Sequence, residues 1–339
     1  MGIVLSLLSR QESKGEKLVK QALGNDETLY AFPDESFYAY DRAKLYNLDI
    51  PTRPAAVTYP KTPEQISALV EVARDAGLVV QAKSGGHSYC NFSSPDGGIV
   101  VDLRNFKKFS MDTETWQAKA LGGILLGELT EAMYNPHKRA MAHGGYIFWM
   151  ESSSTFRVQV VVSDGRILQA SESQNADLFW ALKGAGASFG IITEFVLRTE
   201  PAPGDTVQYK YSFTTGSWGE MTAVFKSWQR FIADPKLPRE FATTATITAL
   251  GLTVSRTFCG SEAEFEQLSL KPDFPLRHTG EKTVVSQIWI DVLTHQAEEV
   301  ALKLGGGISA HAYTKTLPFG GSEQNSIAEQ TVDKLFDHI

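Results

Sequence analysis

The sequence predicts a mixed fold of the α+β class, because some segments carry the periodicity of helices and others that of strands. A helix is indicated after Thr62, where Pro63 suits the first helical position and apolar residues then recur along one face as far as Ala73. A hairpin is indicated at residues 163–166, where Asp-Gly lies between two β-rich runs. Since both kinds of element alternate along the chain, we expect sheets that are covered by helices.

The remaining elements follow in chain order from the same two periodicities. Helices are predicted over residues 12–23, 63–76, 127–133, 176–183 and 217–232. Strands are predicted over residues 57–59, 78–82, 99–103, 116–120, 158–162, 167–170, 191–197, 207–213 and 243–254. Residues 184–190 are rich in glycine, and we expect a turn there.

The length of 339 residues favours two domains. The best boundary lies at residues 201–204, where the sequence Pro-Ala-Pro-Gly interrupts the succession of elements. We therefore predict an N-terminal segment over residues 1–52, a first domain over residues 53–203 and a second domain over residues 204–339.

Composition and charge exclude several classes of protein. The net charge is −7 at pH 7 and the sequence has no run of lysine or arginine, so a nucleic-acid partner is not expected. No apolar run is long enough to span a bilayer, and the first residues lack the positive charge of a signal peptide. We therefore expect no membrane span and a cytoplasmic or undefined location. The histidines show no metal-ligand spacing with cysteine or carboxylate residues, so no metal site is expected.

One predicted strand runs directly into a sequence that is typical of an anion-binding turn. Residues 83–88 read Lys-Ser-Gly-Gly-His-Ser. Consecutive glycines allow several backbone N–H groups to point at one place, and such a nest binds anions, including pyrophosphate. The hydroxyls of Ser84 and Ser88 add donors, and His87 would lie beside the phosphate with a nucleophilic ring nitrogen. The alternative is a tight turn in which the histidine only forms hydrogen bonds.

A second glycine-rich sequence follows the predicted helix at residues 176–183. It reads Gly-Ala-Gly-Ala-Ser-Phe-Gly over residues 184–190 and leads into the predicted strand at 191–197. A Rossmann fingerprint has the opposite context, because its glycines follow a strand and open a helix. A Rossmann NAD site is therefore not expected. Close packing between helix and strand is the simpler explanation for the small residues.

Together, the two motifs resemble the berberine-bridge-enzyme-like FAD-linked oxidoreductases of the vanillyl-alcohol-oxidase superfamily. The similarity extends from about Arg53 to about Phe213 and includes the pair Gly122-Gly123 as well as both motifs. It implies a PCMH-type FAD-binding domain of two subdomains, followed by a partial substrate domain with a large antiparallel sheet. It also implies FAD as the cofactor, with a covalent bond through His87.

The resemblance also assigns residues and a reaction. It places the FAD pyrophosphate at Lys83, Ser84, Gly85, Gly86, His87 and Ser88, and the adenine and ribose side at Gly186, Gly190, Ile191 and Ile192. The implied reaction is oxidation of a small organic substrate in specialised (secondary) metabolite biosynthesis, with oxygen as electron acceptor and no catalytic base assigned. The open alternatives are a carbohydrate or oligosaccharide oxidase and a non-catalytic, degenerate or truncated member of the family.

The sequence departs from the family in two places. Members with doubly tethered FAD carry a cysteine and a glycine-rich stretch after a His-Gly pair, whereas residues 145–154, which follow His143-Gly144 here, contain neither. The region near residues 144–157 is shorter than in the family, and we expect that the family's C-terminal part is not represented. Cys90 follows His87 by only three residues, so we expect a small, buried thiol there and a single tether, at His87, at most.

Overall fold

The computed structural model describes residues 13–36, 38, 43–141, 154–213, 217–248, 251–271, 274, 281–293, 307 and 327–337. The helices are α1 (Lys14–Ala22), α2 (Pro63–Ala76), α3 (Leu126–His137), α4 (Ala176–Phe189), α5 (Trp218–Ile232), α6 (Glu262–Ser269) and α7 (Glu329–Asp337), with a short 3-10 helix at Glu27–Leu29. None of the helices in these ranges is both long and apolar enough to cross a membrane.

The strands fall into three sheets and one short pair. They are β1 (Tyr30–Ala31), β2 (Ala56–Thr58), β3 (Val80–Lys83), β4 (Ile99–Asp102), β5 (Phe109–Asp112), β6 (Gln117–Leu121), β7 (Arg139–Ala140), β8 (Thr155–Val161), β9 (Ile167–Ser171), β10 (Ile191–Arg198), β11 (Glu200–Pro201), β12 (Asp205–Phe213), β13 (Thr244–Thr248), β14 (Gly251–Phe258) and β15 (Glu281–Ile288). Among the described residues, those up to Pro201 together with Gly307 form one compact unit, and the remaining residues from Ala202 onward form a second.

The first sheet has the order β1-β2-β4-β3. β2 and β3 run parallel to β4, and β1 pairs antiparallel with β2. Every residue of β4 is buried, and α2 packs Ile66, Leu69 and Val70 into the same core, as their helical spacing predicts. Lys83 pairs with Asp102 at the carboxyl ends of β3 and β4. The loop after β3 and the turn after β4 therefore leave the sheet side by side.

The ends of α2 are set by residues that the sequence makes visible. The Thr62 side chain accepts a hydrogen bond from the backbone N–H of Gln65 at 3.3 Å, and Pro63 occupies the first helical position. Gly77 ends the helix with φ at 66°, a left-handed conformation that favours glycine. The predicted bounds of this helix are confirmed.

The second sheet has the order β5-β6-β10-β8-β9, and each neighbouring pair is antiparallel. The predicted hairpin is confirmed: β8 and β9 pair directly, and Gly165 in the turn has φ at 89°. α4 covers this sheet by packing Phe179 and Leu182 against buried residues of β8. The first unit thus contains two sheets, each with its own helices.

The predicted glycine-rich turn over residues 184–190 is wrong. α4 continues through this sequence to Phe189, and only Ala185 departs from helical geometry, with φ at −139° and ψ at 37°. The helix is kinked at Ala185 and then resumes, because the cost of one glycine in a helix, only about 1 kcal/mol, can be offset by packing. Gly190 caps the end of the helix, and β10 begins at the next residue, Ile191.

Gly123 allows the two sheets of the first unit to meet, and its neighbour Gly122 allows close packing within the second sheet. A Cβ atom on Gly123 would lie 1.7 Å from the carbonyl oxygen of Leu103, in the turn after β4. A Cβ atom on Gly122 would lie 2.2 Å from the carbonyl oxygen of Ile192, at the start of β10. Neither backbone oxygen leaves room for a side chain. The edge of the first sheet that carries the loop after β3 is therefore in close contact with the second sheet.

The second unit contains an antiparallel sheet of order β13-β14-β12-β15. Its core includes residues of α5, α6 and α7 packed on buried aromatic side chains such as Tyr209 of β12. The α+β class and the antiparallel sheet of this unit are confirmed. The single strand predicted over residues 243–254 is wrong in extent, because β13 and β14 are two strands that pair with Thr248 opposite Gly251. The strand-like sequence continues through the point where the chain reverses, so the sequence pattern does not reveal the turn between β13 and β14.

Candidate functional site

The chain leaves β3 at Lys83 and turns at the carboxyl end of the first sheet. Ser84 and Gly85 are exposed, and Gly86 has φ at 70°, which favours glycine. The backbone N–H groups of Ser84, Gly85, Gly86 and His87 donate to no acceptor within the part of the chain that the structure describes. Several free donors around a left-handed glycine form the kind of nest that binds an anion.

Two residues of the predicted pyrophosphate loop are bound by the protein itself. The ammonium of Lys83 is buried and donates to the carbonyl oxygen of Ala43 at 2.6 Å and to that of Lys44 at 3.2 Å. Burial also lowers the pKa of Lys83. The buried Ser88 hydroxyl accepts a hydrogen bond from the N–H of Phe92 at 3.0 Å. Both residues hold the loop in shape, and their contacts with a cofactor stay predictions.

The imidazole of His87 folds back over Gly85. A Cβ atom on Gly85 would lie 2.3 Å from Cε1 of His87, 2.8 Å from Nδ1 and 2.9 Å from Nε2, so only glycine accommodates this ring position. The ring of Tyr46 meets the imidazole edge-on, with 6.1 Å between the ring centroids. Burial lowers the pKa of His87. The ring is therefore neutral at neutral pH and keeps a nucleophilic nitrogen.

Sequence reasoning missed the residues that hold this loop from outside the motif. Asn91 is buried, and its side chain bonds to the backbone of residues 46, 47 and 50. Tyr46, whose ring meets His87, lies 41 positions before that histidine, in a region without a recognisable motif. An asparagine that follows a glycine-rich turn is a weak signal for a left-handed residue, and no pattern in the sequence points to Tyr46.

The second motif lies on the other side of the glycine pair. Ile191 is buried and belongs to the core of the first sheet, although it is part of β10. A Cβ atom on Gly190 would lie 2.6 Å from the carbonyl oxygen of Val161, and one on Gly186 would lie 3.6 Å from Cδ1 of Ile192. These four predicted site residues therefore mark the tight junction of α4, β8 and β10.

The two motifs converge on the turn after β4. The N–H of Leu103 donates to the carbonyl oxygen of Lys83 at 2.8 Å, which joins that turn to the His87 loop. Gly123 approaches Leu103 and Gly122 approaches Ile192, which joins the same turn to the second motif. The structure thus brings both predicted sets of residues to one junction between the two sheets of the first unit.

The residues at this junction fit FAD. The nest of free N–H groups suits the charge of a pyrophosphate, and the exposed glycine at its centre lets the backbone approach the phosphate closely. His87 supplies a neutral nitrogen at the edge of the nest. FAD matches both the free N–H groups and the histidine, because it has a pyrophosphate and, at one end, a reactive ring.

The expected absence of a second tether concerns residues outside the described part of the chain. His143, Gly144 and the residues up to 153 are not among those that the structure describes. Of the two cysteines in the sequence, Cys90 is exposed on the surface of the loop, so the expected burial of its thiol is wrong, and Cys259 is half-buried directly after β14. Both are free thiols. The expectation of a single tether stays a prediction.

Comparison with known proteins identifies the same cofactor class. A family model described as a FAD binding domain matches residues 54–147. The FAD-linked oxidoreductase sorD of Penicillium rubens is 31% identical over 94% of this chain and 71% of its own length. The xylooligosaccharide oxidase of Thermothelomyces thermophilus is 29% identical over 75% of this chain, which spans only 55% of that relative. The chain thus covers most of one relative and about half of another.

A solved structure supports the fold and the type of cofactor. The glucooligosaccharide oxidase of Acremonium strictum is similar with a TM-score of 0.79 and 25% identity, over 95% of this chain and 71% of that protein. That enzyme carries 6-S-cysteinyl, 8α-N1-histidyl FAD. The PCMH-type architecture and the FAD cofactor, both expected from the sequence, are thereby confirmed. This chain belongs to the berberine-bridge-enzyme-like family of FAD-linked oxidoreductases.

Proposed function

We propose that this chain is an active FAD-linked oxidoreductase whose flavin is held by one covalent bond, to His87. The observation that carries the proposal is the neutral imidazole folded over Gly85, directly beside four backbone N–H groups that have no acceptor in the described structure. The first domain, residues 53–203, would bind the FAD. Residues 186 and 190–192 would line its adenine and ribose side.

The covalent bond would join an imidazole nitrogen of His87 to a methyl carbon of the flavin ring, by analogy with the histidyl linkage of the Acremonium enzyme. Its formation would remove one hydrogen from the imidazole and one from the methyl group. The two electrons released would pass to oxygen, which would become hydrogen peroxide. His87 must be neutral for this step, and its lowered pKa keeps it so.

When bound, FAD would accept two electrons from the substrate and pass them to oxygen. The protein's part is to fix the ring at His87 and to hold the phosphates in the nest. We assign the substrate to the small molecules of specialised metabolism. The support is that the relative named only as a FAD-linked oxidoreductase aligns with 94% of this chain, whereas the xylooligosaccharide oxidase aligns with 75%.

The experiment is to purify the protein with FAD supplied, record its visible spectrum and measure oxygen uptake. We expect a flavin spectrum, and oxygen uptake with alcohols of aromatic or polyketide type rather than with xylo- or gluco-oligosaccharides. Uptake with oligosaccharides alone would instead support a carbohydrate oxidase. A folded, colourless protein that takes up no FAD would contradict the proposal and support a non-catalytic family member.

The variant Gly85→Ala should impair covalent attachment without unfolding the protein. The new methyl group would lie 2.3 Å from the His87 ring, which is the free end of a side chain and can move away. Because a misplaced reactive group slows bond formation steeply, we expect the covalent fraction to fall about tenfold or more. In-gel flavin fluorescence after denaturation measures this fraction, and a thermal melt confirms folding.

The matched control is Gly184→Ala, on an exposed part of α4. A Cβ atom there would meet nothing within 4 Å, so covalent attachment should match that of the wild type. If Gly85→Ala also carried wild-type amounts of covalent flavin, the position of the His87 ring in the structure would not be the reactive one.

The rate of covalent flavin attachment should rise with pH, and its midpoint should lie below the ordinary pKa of histidine. Since burial lowers the pKa of His87 below its ordinary value of 6.5, the imidazole becomes protonated, and loses its nucleophilic nitrogen, only below that pH. At pH 6.5 the rate should therefore exceed half of its plateau at high pH. Covalent fluorescence is followed over time at saturating FAD. A rate at half the plateau or less would show that the folded protein does not depress this pKa.

A further inference from the structure

The segment that contains Tyr46 lies against the His87 loop, although the two are far apart in the sequence. We define the upstream segment as residues 43–50 and the attachment loop as residues 84–92. Lys83, just before the loop, bonds to the carbonyl oxygens of Ala43 and Lys44 at one end of the upstream segment. In the middle of the segment, Asn47 donates from Nδ2 to the carbonyl oxygen of Tyr89 at 2.8 Å. The two stretches therefore form one unit.

Asn91 is the centre of this contact. Its Nδ2 donates to the carbonyl oxygens of Asn47 at 2.7 Å and Ile50 at 2.8 Å. Its Oδ1 accepts from the N–H groups of Tyr46 at 3.2 Å and Asn47 at 3.1 Å. The residue is only 3% exposed, so each of these bonds replaces water that the side chain has lost. One buried amide thus fixes the backbone of the upstream segment at four points.

The backbone of Asn91 also explains why the residue is asparagine. Its φ is 53°, in the left-handed region, which asparagine tolerates better than other residues with side chains. Glycine would accept the same backbone but would supply none of the four bonds. The side chain and the backbone conformation of this residue can therefore be tested separately. The variant Asn91→Gly removes the side-chain contacts while leaving the backbone conformation unstrained.

Tyr46 connects Asn91 with His87, because its backbone bonds to Asn91 and its ring contacts the imidazole. The Tyr46 N–H is bound by Asn91, and the Tyr46 ring meets the imidazole of His87 edge-on, with 6.1 Å between centroids. The same ring meets that of Tyr89 edge-on at 5.4 Å. Gly85 lies beneath the imidazole on the loop itself. The ring of His87 is thus flanked both by its own loop and by the upstream segment.

We propose that Asn91 is a positioning residue for flavin attachment: by fixing the upstream segment it holds the Tyr46 ring against His87 and so sets the direction of the imidazole. The inference rests on the proposed function of His87. The side chain of Asn91 bonds to the backbone of the upstream segment, so it acts on His87 through Tyr46. The bond that it promotes is the one described above, with oxygen as the oxidant.

The test compares Asn91→Gly with Asn25→Gly in the full-length protein. Asn25 is a matched control, because it is an exposed turn residue with φ at 57°. Each variant is incubated with excess FAD, and the rate of covalent attachment is measured by fluorescence after denaturation. We expect Asn91→Gly to bind FAD but to form the bond on the order of tenfold more slowly, as a misdirected reactive group would. Asn25→Gly should keep the wild-type rate.

Two variants of Tyr46 distinguish positioning from general stability. Tyr46→Phe keeps the ring and should attach flavin at the wild-type rate, whereas Tyr46→Ala should be as slow as Asn91→Gly. The double variant Asn91→Gly with Tyr46→Ala should be no slower than either single variant, because both changes remove the same effect. A wild-type rate in folded Asn91→Gly, or additive losses in the double variant, would overturn the proposal.

A second measurement needs no flavin, so it tests the positioning role of Asn91 independently of the proposed function of His87. Diethyl pyrocarbonate modifies neutral imidazoles, and the modified His87 is quantified by peptide mass in FAD-free protein. If Tyr46 covers the ring, Asn91→Gly should be modified several-fold faster at His87 than the wild type and Asn25→Gly. Equal rates would overturn the role of Asn91. A wild type that never binds FAD would contradict the proposed function alone.

Discussion

Replacing His87 by alanine should abolish covalently bound flavin while leaving a folded protein that binds FAD reversibly. The bond needs a nucleophilic nitrogen at the edge of the nest, and among the predicted site residues only His87 provides one. The proposed phosphate contacts would come from backbone N–H groups, which alanine at this position keeps. After acid precipitation, the flavin of the wild type should stay in the pellet. The flavin of His87→Ala should appear entirely in the supernatant.

Cys90→Ser is the control for this result. Cys90 is exposed and lies on the same loop, so it is the other side chain there that could react with flavin. We expect its substitution to leave the covalent fraction unchanged. Covalent flavin that survives in His87→Ala but disappears in Cys90→Ser would move the attachment to the thiol and contradict the assignment.

Replacing Gly123 by alanine should have the largest effect on stability. The added Cβ would lie 1.7 Å from the carbonyl oxygen of Leu103 and 2.6 Å from its carbonyl carbon. Both are backbone atoms of the turn after β4, so they cannot swing aside as a side chain would. Overpacking typically costs about 1–3 kcal/mol, and the fixed backbone atoms place this variant at the upper end of that range. We expect a markedly lower melting temperature and loss of FAD binding, because the two sheets separate where the two motifs converge.

Gly127→Ala is the matched control. Gly127 lies in the first turn of α3, and a Cβ atom there would meet nothing within 4 Å. Alanine favours a helix over glycine by about 1 kcal/mol, so this variant should be as stable as the wild type or more so. Equal melting temperatures for Gly123→Ala and Gly127→Ala would show that the sheets are not in the close contact described.

Local signals predicted most of the first unit correctly. Thr62, Pro63 and Gly77 act within one helix, and the Asp-Gly turn of the hairpin acts between adjacent strands, so their effects are visible in neighbouring residues. The α4 region failed because two opposing preferences, glycine against alanine, are nearly balanced there. The packing around the helix, which the sequence does not display, decided the outcome.

The candidate site was only partly predictable for a different reason. The motif indicates which loop has the free N–H groups of an anion site, because the glycines and His87 are adjacent in the sequence. It does not reveal that Lys83 would turn toward the carbonyl oxygens of Ala43 and Lys44. Nor does it reveal that Asn91 would fix a segment 44 positions earlier. Contacts at that separation depend on the completed fold.

The most direct test of the account is the mass of one peptide. Trypsin cleaves after Lys83 and Arg104, and residues 84–104 contain a single histidine, His87. From wild-type protein saturated with FAD, this peptide should carry one flavin adduct, and fragmentation should place it on the imidazole of His87. An unmodified peptide from protein that holds FAD, or an adduct on Cys90, would contradict the central claim.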